Sequence, residues 1–199
     1  MRGLGLCSTQ VSDAGLVHLK GLTSLQELYL DDCTGVCDAG LACLKGLTSL
    51  QKLDIHGTQI SDAGLKYLKG LTSLRLLDLI GLRVGDAGLP YLKGLTLLQK
   101  LDLSGTQVTD TGLVYLKGLT SLQILDLNGT QVSDAGLVHL KGLTSLQTLW
   151  LCDIRVSDAG LKYLKGLTSL QQLFLYETQV SETGKAYLTN ILPNLRVFR

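Results

Sequence analysis

The sequence predicts an α/β repeat solenoid, a stack of units in which a short strand alternates with a short helix and all strands run parallel. Three observations predict it: a repeat of 24 residues, 49 leucines among 199 residues, and two different leucine spacings inside each repeat. The glycine of Asp-Ala-Gly, or its equivalent, recurs at Gly15, Gly40, Gly64, Gly88, Gly112, Gly136, Gly160 and Gly184, with one step of 25 residues and six of 24. Registers this regular do not arise by chance, and they fix the architecture before any local reading begins.

Within a unit, Leu101-Asp102-Leu103 alternates, with Leu98 three residues earlier, which places leucines on one face of a short strand. Leu113, Leu116 and Leu119 then recur at threes, the spacing of a helical or near-helical face. Thr109, or a serine in other units, precedes an acidic residue where that stretch begins, a helix start signal. Lys117-Gly118 supplies the stop, a cation at the negative end followed by glycine. About two helical turns fit between. Every connection repeats, so the strands run parallel, and seven or eight of them are expected in one sheet. A unit this short cannot bury its own leucines, and stacked neighbours provide one continuous core.

The segment Leu25-Gln26-Glu27-Leu28-Tyr29-Leu30-Asp31-Asp32-Cys33, and its counterparts closing on threonine, resembles the leucine-rich repeat signature over essentially the whole chain. Together with the Asp-Ala-Gly-Leu half it is similar to the cysteine-containing subclass, found in substrate receptors of ubiquitin ligases and in many bacterial repeat proteins. The resemblance implies a curved solenoid with the parallel sheet on its concave face and short helices on the convex face. It also implies recognition of a partner without naming one.

The array departs from its own pattern in a few places. One extra residue falls around Cys33-Thr34-Gly35 and another in Thr189–Asn194, either as tolerated loop variation or as a bulge that shapes a site. Residues 1–199 are expected to form one domain of about eight repeats without complete capping repeats. Met1, Leu4 and Leu6 occupy strand leucine positions, and Leu195–Phe198 is a strand beginning another unit. Uncapped strands of this kind are expected to self-associate through their edges.

Strand side chains alternate, so the residues between the leucines face the concave side. They differ from repeat to repeat, whereas the helical half stays nearly uniform, and that contrast marks a recognition surface. Partner-binding candidates are Tyr29, Asp31, Asp32, His56, Asp78, Ile80, Asp102, Asp126, Asn128, Trp150, Cys152, Phe174 and Tyr176. Asp54, Asp78, Asp102 and Asp126 share one position in successive strands, either as solvated members of a favoured Leu-Asp-Leu unit or as a row that takes a cation or basic peptide. A flat row cannot wrap calcium with six to eight oxygens. Trp150, Phe174 and Tyr176 sit on adjacent strands with Cys152 beside them, either as an interface patch or as rings stacked to cover a terminal repeat.

The remaining chemistry is sparse. Cys7, Cys33, Cys37, Cys43 and Cys152 match no zinc spacing, Cys33 takes the inward threonine position, and reduced thiols point to a cytoplasmic setting. His18 and His139 stand where other repeats carry tyrosine and read as surface or groove fillers. The acidic ladder from Asp13 to Glu182 and the lysine ladder from Lys20 to Lys165 read as charges matched to helix dipoles. No nucleophile elbow, phosphate loop or dinucleotide fingerprint occurs, so no enzyme activity, metal or cofactor is expected. A net charge of +1 removes the footprint of a nucleic-acid binder. No apolar run spans a bilayer, and no signal-peptide core follows Met1. The expected function is a non-catalytic module that binds a protein or peptide on the concave strand face. The alternative is the substrate-recognition segment of a ubiquitin-ligase-type receptor or a bacterial effector.

Overall fold

The structure, a computed structural model, describes residues 2–199. Met1, placed by its spacing in the first strand, lies outside them. Nine three-residue strands form one open parallel sheet in chain order: β1 (Gly3–Gly5), β2 (Glu27–Tyr29), β3 (Lys52–Asp54), β4 (Leu76–Asp78), β5 (Lys100–Asp102), β6 (Ile124–Asp126), β7 (Thr148–Trp150), β8 (Gln172–Phe174) and β9 (Arg196–Phe198). The sequence led to seven or eight. The count rises because both outermost segments pair as well, β1 with β2 and β9 with β8.

Each strand except β9 is followed by a short helical segment, an α-helix in six repeats: α1 (Asp13–Leu16), α2 (Asp38–Leu41), α3 (Asp62–Leu65), α4 (Asp134–Leu137), α5 (Asp158–Leu161) and α6 (Glu182–Ile191). The first three run directly into one turn of 3₁₀ helix, and Leu89–Leu92 and Gly112–Leu116 are 3₁₀ throughout. No helix among the described residues is long and apolar enough to cross a membrane. The extra residue near Cys33 falls in the link from strand to helix. The later one falls in α6, which continues for ten residues where its counterparts break after one α turn.

The strand leucines and the helical leucines meet in one core, in which Leu28, Leu53, Leu77, Leu101, Leu125, Leu149 and Leu173 are fully buried. Thr58, Thr106 and Thr130 close their strands by donating the hydroxyl to the carbonyl three residues back, at 2.6–2.7 Å. Cys33 is fully buried at the equivalent place, and its thiol donates instead to Leu6 of the preceding repeat at 3.0 Å.

The acidic ladder does more than complement helix dipoles, and that reading needs correction. From Asp13 to Asp158, each carboxylate reaches into the next repeat. Oδ1 accepts the backbone N–H of Cys37, Ser61, Gly85, Thr109, Ser133, Ser157 or Ser181 in turn, at 2.7–2.8 Å. Oδ2 accepts the hydroxyl of Ser61, Thr109, Ser133, Ser157 and Ser181. Thr111 adds its hydroxyl to Asp86. Burial works against ionisation of Asp86, but these donors outweigh it and hold its carboxyl below the usual range. The repeated glycine follows from the same contact. A Cβ built at Gly88 would lie 2.5 Å from Asp62 Oδ1, and the equivalent atom is closer still at Gly40, Gly64, Gly112, Gly136, Gly160 and Gly184.

Cys37 and Gly85 lack the hydroxyl that completes this clasp. A Cβ at Gly85 would have only ordinary contacts and lie 3.8 Å from Asp62 Oδ2, so a serine hydroxyl there reaches it. Gly85→Ser is expected to stabilise the fold by about 1 kcal/mol, raising the melting midpoint by roughly 2–4 °C. Gly136→Ala pushes a methyl into Asp110 and is expected to cost about 1–3 kcal/mol. Thermal melts followed by circular dichroism check both, and a destabilised Gly85→Ser contradicts the clasp.

Candidate functional site

The register aligns Tyr29, Asp78, Asp102, Asp126, Trp150 and Phe174 at one strand position, and the other candidates follow their strands by two or three residues, in three groups. At the N-terminal end, Lys52 pairs with Glu27 at 3.0 Å, and the Tyr29 hydroxyl donates to Glu27 at 3.2 Å. Burial, and then Glu27, push the Tyr29 phenol up. His56 Nδ1 lies 2.9 Å from Asp54 Oδ1. Burial works against a proton on His56, but Asp54, Asp78 and Asp32 outweigh it and raise the imidazole's pKa. Donor atoms of Asp31, Asp32 and His56 fall within 4.8 Å of one another, as do those of Asp54, His56 and Asp78. Cys7 borders this group, and the Asp31 carboxylate raises its thiol pKa.

The middle group is the carboxylate row. Asp54, Asp78, Asp102 and Asp126 are direct partners in neighbouring strands. The expectation of solvated carboxylates fails for two of them: Asp78 is 8% exposed and Asp102 is 6% exposed. Neighbouring strands flank each closely on both sides, and the local turn offers a hydrogen bond in place of water. Each Oδ1 accepts the backbone N–H two residues on, from His56, Ile80, Ser104 or Asn128, at 2.9–3.2 Å. Burial is also the main reason the Asp78 carboxyl is raised and Asp126 is pushed up to about 6, with neighbouring Asp102 adding to both. Ile80 stands at the rim, 37% exposed. Asn128 is committed internally: its amide oxygen accepts the Cys152 N–H at 2.7 Å, and its nitrogen donates to Asp126 at 3.4 Å.

The third group is aromatic. Trp150 and Phe174 are register partners, and their rings stack at 3.6 Å with planes 4° apart. Phe198 extends the stack from β9 at 4.5 Å. Sequence reasoning had grouped Tyr176 with Trp150 and Phe174 and missed Phe198. Counting 24 residues from Phe174 reaches Phe198, so the signal was available. Tyr176 stands two residues beyond the stack, 47% exposed, with the half-buried Cys152 on the neighbouring strand. Burial raises the Cys152 thiol.

A second missed feature is the turn three residues after each strand. The backbone is left-handed there in eight repeats, at Gly57, Gly81, Gly105 and Gly129 and also at Ser8, Asp32, Asp153 and Glu177. Side chains at this conformation cost about 1–3 kcal/mol each. They occur toward both ends of the face, beside the histidine and aromatic groups, while glycine holds the middle. Aligning the repeats shows the substitution directly.

A family model described as leucine rich repeats in two copies matches residues 96–142, and one for a single leucine rich repeat matches residues 46–69. Neither identifies the cysteine-containing subclass. No curated protein sequence matches the chain significantly. Among solved structures, internalin C2 from Listeria monocytogenes is 30% identical, with 99% of this chain and 70% of that chain covered and a TM-score of 0.55. A leucine-rich repeat protein of Leptospira interrogans is similar with a TM-score of 0.77 and 20% identity over all of this chain, which spans 49% of that protein's length. The plant peptide hormone receptor RGFR1, solved in complex with RGF2, has a TM-score of 0.68 at 18% identity, with 99% of this chain and 32% of that chain covered.

The carboxylate row has a measurable consequence. Folded, the Asp126 carboxyl keeps its proton up to about pH 6; unfolded, it releases it near pH 4. The folded state binds more protons between those values, so this group's contribution to stability rises as pH falls from about 7 toward 4. Asp126→Asn keeps an acceptor for the Asn128 N–H and removes the buried charge. It is expected to stabilise the protein at pH 7 by about 1 kcal/mol after allowance for solvent screening, an advantage that disappears by pH 4. Melts across that range check it, and a pH-independent difference contradicts it.

Proposed function

The chain belongs to the leucine-rich repeat family, and from that premise we propose that it is a non-catalytic recognition module that takes a protein or peptide partner on the open strand face. One observation carries this reading. The clasp and core residues are nearly the same from repeat to repeat, while from β2 to β8 the last strand position carries tyrosine, four aspartates, tryptophan and phenylalanine, and the position two residues on carries aspartate, histidine, isoleucine, serine, asparagine, cysteine and tyrosine. A scaffold alone has no use for that variety at corresponding positions. The half-buried stack of Trp150, Phe174 and Phe198 supplies the large, rigid contact area typical of interface hot spots. The same fold serves a plant peptide hormone receptor solved in complex with RGF2, which supports a protein or peptide ligand over a small metabolite. β1 and β9 are the outermost strands among the described residues, and a second copy pairing at either edge is part of the proposal. A monomeric mass by light scattering at high concentration removes that part.

Capture experiments with the immobilised chain test the main reading. Trp150→Ala is expected to weaken retention of a specifically captured protein by at least tenfold, in line with about 2 kcal/mol for a buried interface aromatic. Its melting midpoint should fall by only a few degrees, because a stacked pair contributes about 0.5–1.5 kcal/mol beyond its buried area. A large loss of stability with binding intact would make the stack packing alone and send the search to Tyr29, Asp31 and Asp32.

A further inference from the structure

Between the carboxylate row and the aromatic stack the sheet face carries a hollow of about 350 Å³, walled by Asp102, Asp126 and Trp150 and bordered by Ile124 and Lys100. Its walls are chemically unlike one another. Phe174 covers the indole face turned toward β8. On the other side, the strand partner of Trp150 is Asp126. Asp102 is 94% buried by its 6% exposure and lines the hollow. Its Oδ1 already takes the Ser104 N–H and hydroxyl, at 3.1 and 2.7 Å, while Oδ2 accepts no hydrogen bond among the described residues. Lys100 forms no ion pair among the described residues, so the two carboxylates have no internal counterion at contact distance.

We propose that this hollow seats an arginine side chain of the partner, with its guanidinium against the free face of Trp150 and its N–H groups on Asp102 and Asp126. This rests on the reading of the strand face as a recognition surface and names the chemistry of its centre. An arginine fits better than a lysine. The guanidinium is flat, stacks on an aromatic face, sheds water more easily than an ammonium and presents N–H groups in a fork. Ile124 offers apolar surface to its methylene stem. The balance of charge is right: two carboxylates face one lysine, and Asp78 adds a further negative charge along the row.

The seat is pH-dependent. The groups facing Asp126 are Asp102 and Asp78 on its row, Lys100 at the start of β5, Asn128 on its own turn and Cys152 after the next strand. Burial and the neighbouring carboxylates raise Asp126 to about 6, so below that value the seat loses a charge and its hold on a cation weakens.

Trp150 is the only tryptophan in the chain, so its fluorescence reports on this site alone. The probes are the peptide acetyl-Gly-Arg-Gly-amide and its citrulline counterpart, which keeps the shape and loses the charge. A saturable fluorescence change is expected with the arginine peptide, with at least tenfold weaker response to citrulline, a tenfold loss in Asp126→Asn, tighter binding in Lys100→Met, and weakening from pH 7.5 to pH 5 in the unaltered chain. Equal response to the two peptides overturns the proposal, as does undiminished binding by a folded Asp126→Asn or binding that tightens as pH falls. The pH series on the unaltered chain decides the matter if the variant does not fold. Absence of arginine binding while Trp150→Ala still loses its captured partner removes the seat and leaves the recognition reading standing. Trp150→Ala carries no tryptophan and is read by capture alone; undiminished capture by the folded variant, with no arginine binding to the unaltered chain, removes both the seat and the aromatic patch and sends the search for the recognition surface to Tyr29, Asp31 and Asp32.

Discussion

The fold depends on a carboxylate that belongs to one repeat and is satisfied by the next. Short parallel strands give each unit few backbone hydrogen bonds, and leucine packing is non-directional, so neither fixes the angle between neighbours by itself. The aspartate at each helix start does. It binds a backbone N–H, usually with a hydroxyl, on one side, and it excludes a side chain at the facing glycine on the other. Charge-assisted hydrogen bonds of this kind are among the stronger ones available and are sensitive to direction. The glycine, the serine or threonine and the aspartate are therefore three parts of one contact, and their joint repetition is the reason the array holds a constant step.

Because that contact lies at the helix side of the sheet, the opposite face is free of structural duty. The result is a division of labour within each unit. Leucines, the closing threonine and the clasp hold the stack, while the outward strand positions vary. The residues on that face have a cost, visible in the close row of buried and half-buried carboxylates and in the left-handed turns at Asp153 and Glu177. Features that work against stability, gathered on one face beside half-buried aromatics, fit a surface shaped for recognition.

Much of the fold was legible because periodicity needs no knowledge of side-chain contacts. The strand at Leu101–Leu103, the helix near Gly112 and the inward place of Cys33 follow from spacing alone. The clasp was not legible in the same way. A run of aspartates at helix starts has a sufficient local explanation in the helix dipole, and only the distance from Asp110 to Ser133 shows that the partner lies one repeat away. Spacing puts Asp54, Asp78, Asp102 and Asp126 at one strand position, where the register pairs them, but it does not give their surroundings. Alternation says that Asp102 points outward; it cannot say that close neighbours leave it almost without water. Phe198 was passed over because it stood in a strand read as an exposed edge rather than as the last ring of a stack.

The reach of the clasp, one repeat forward and no further, has a genealogical consequence. A segment of 24 residues excised or duplicated in register leaves every remaining aspartate facing a repeat built to receive it, so unequal recombination between units yields a folded chain of different length at little cost. The strand face then lengthens or shortens by one whole column, carrying its side chains with it. Copy number becomes a heritable variable in its own right, separable from point substitution, and a lineage can widen this face without passing through an unfolded ancestor.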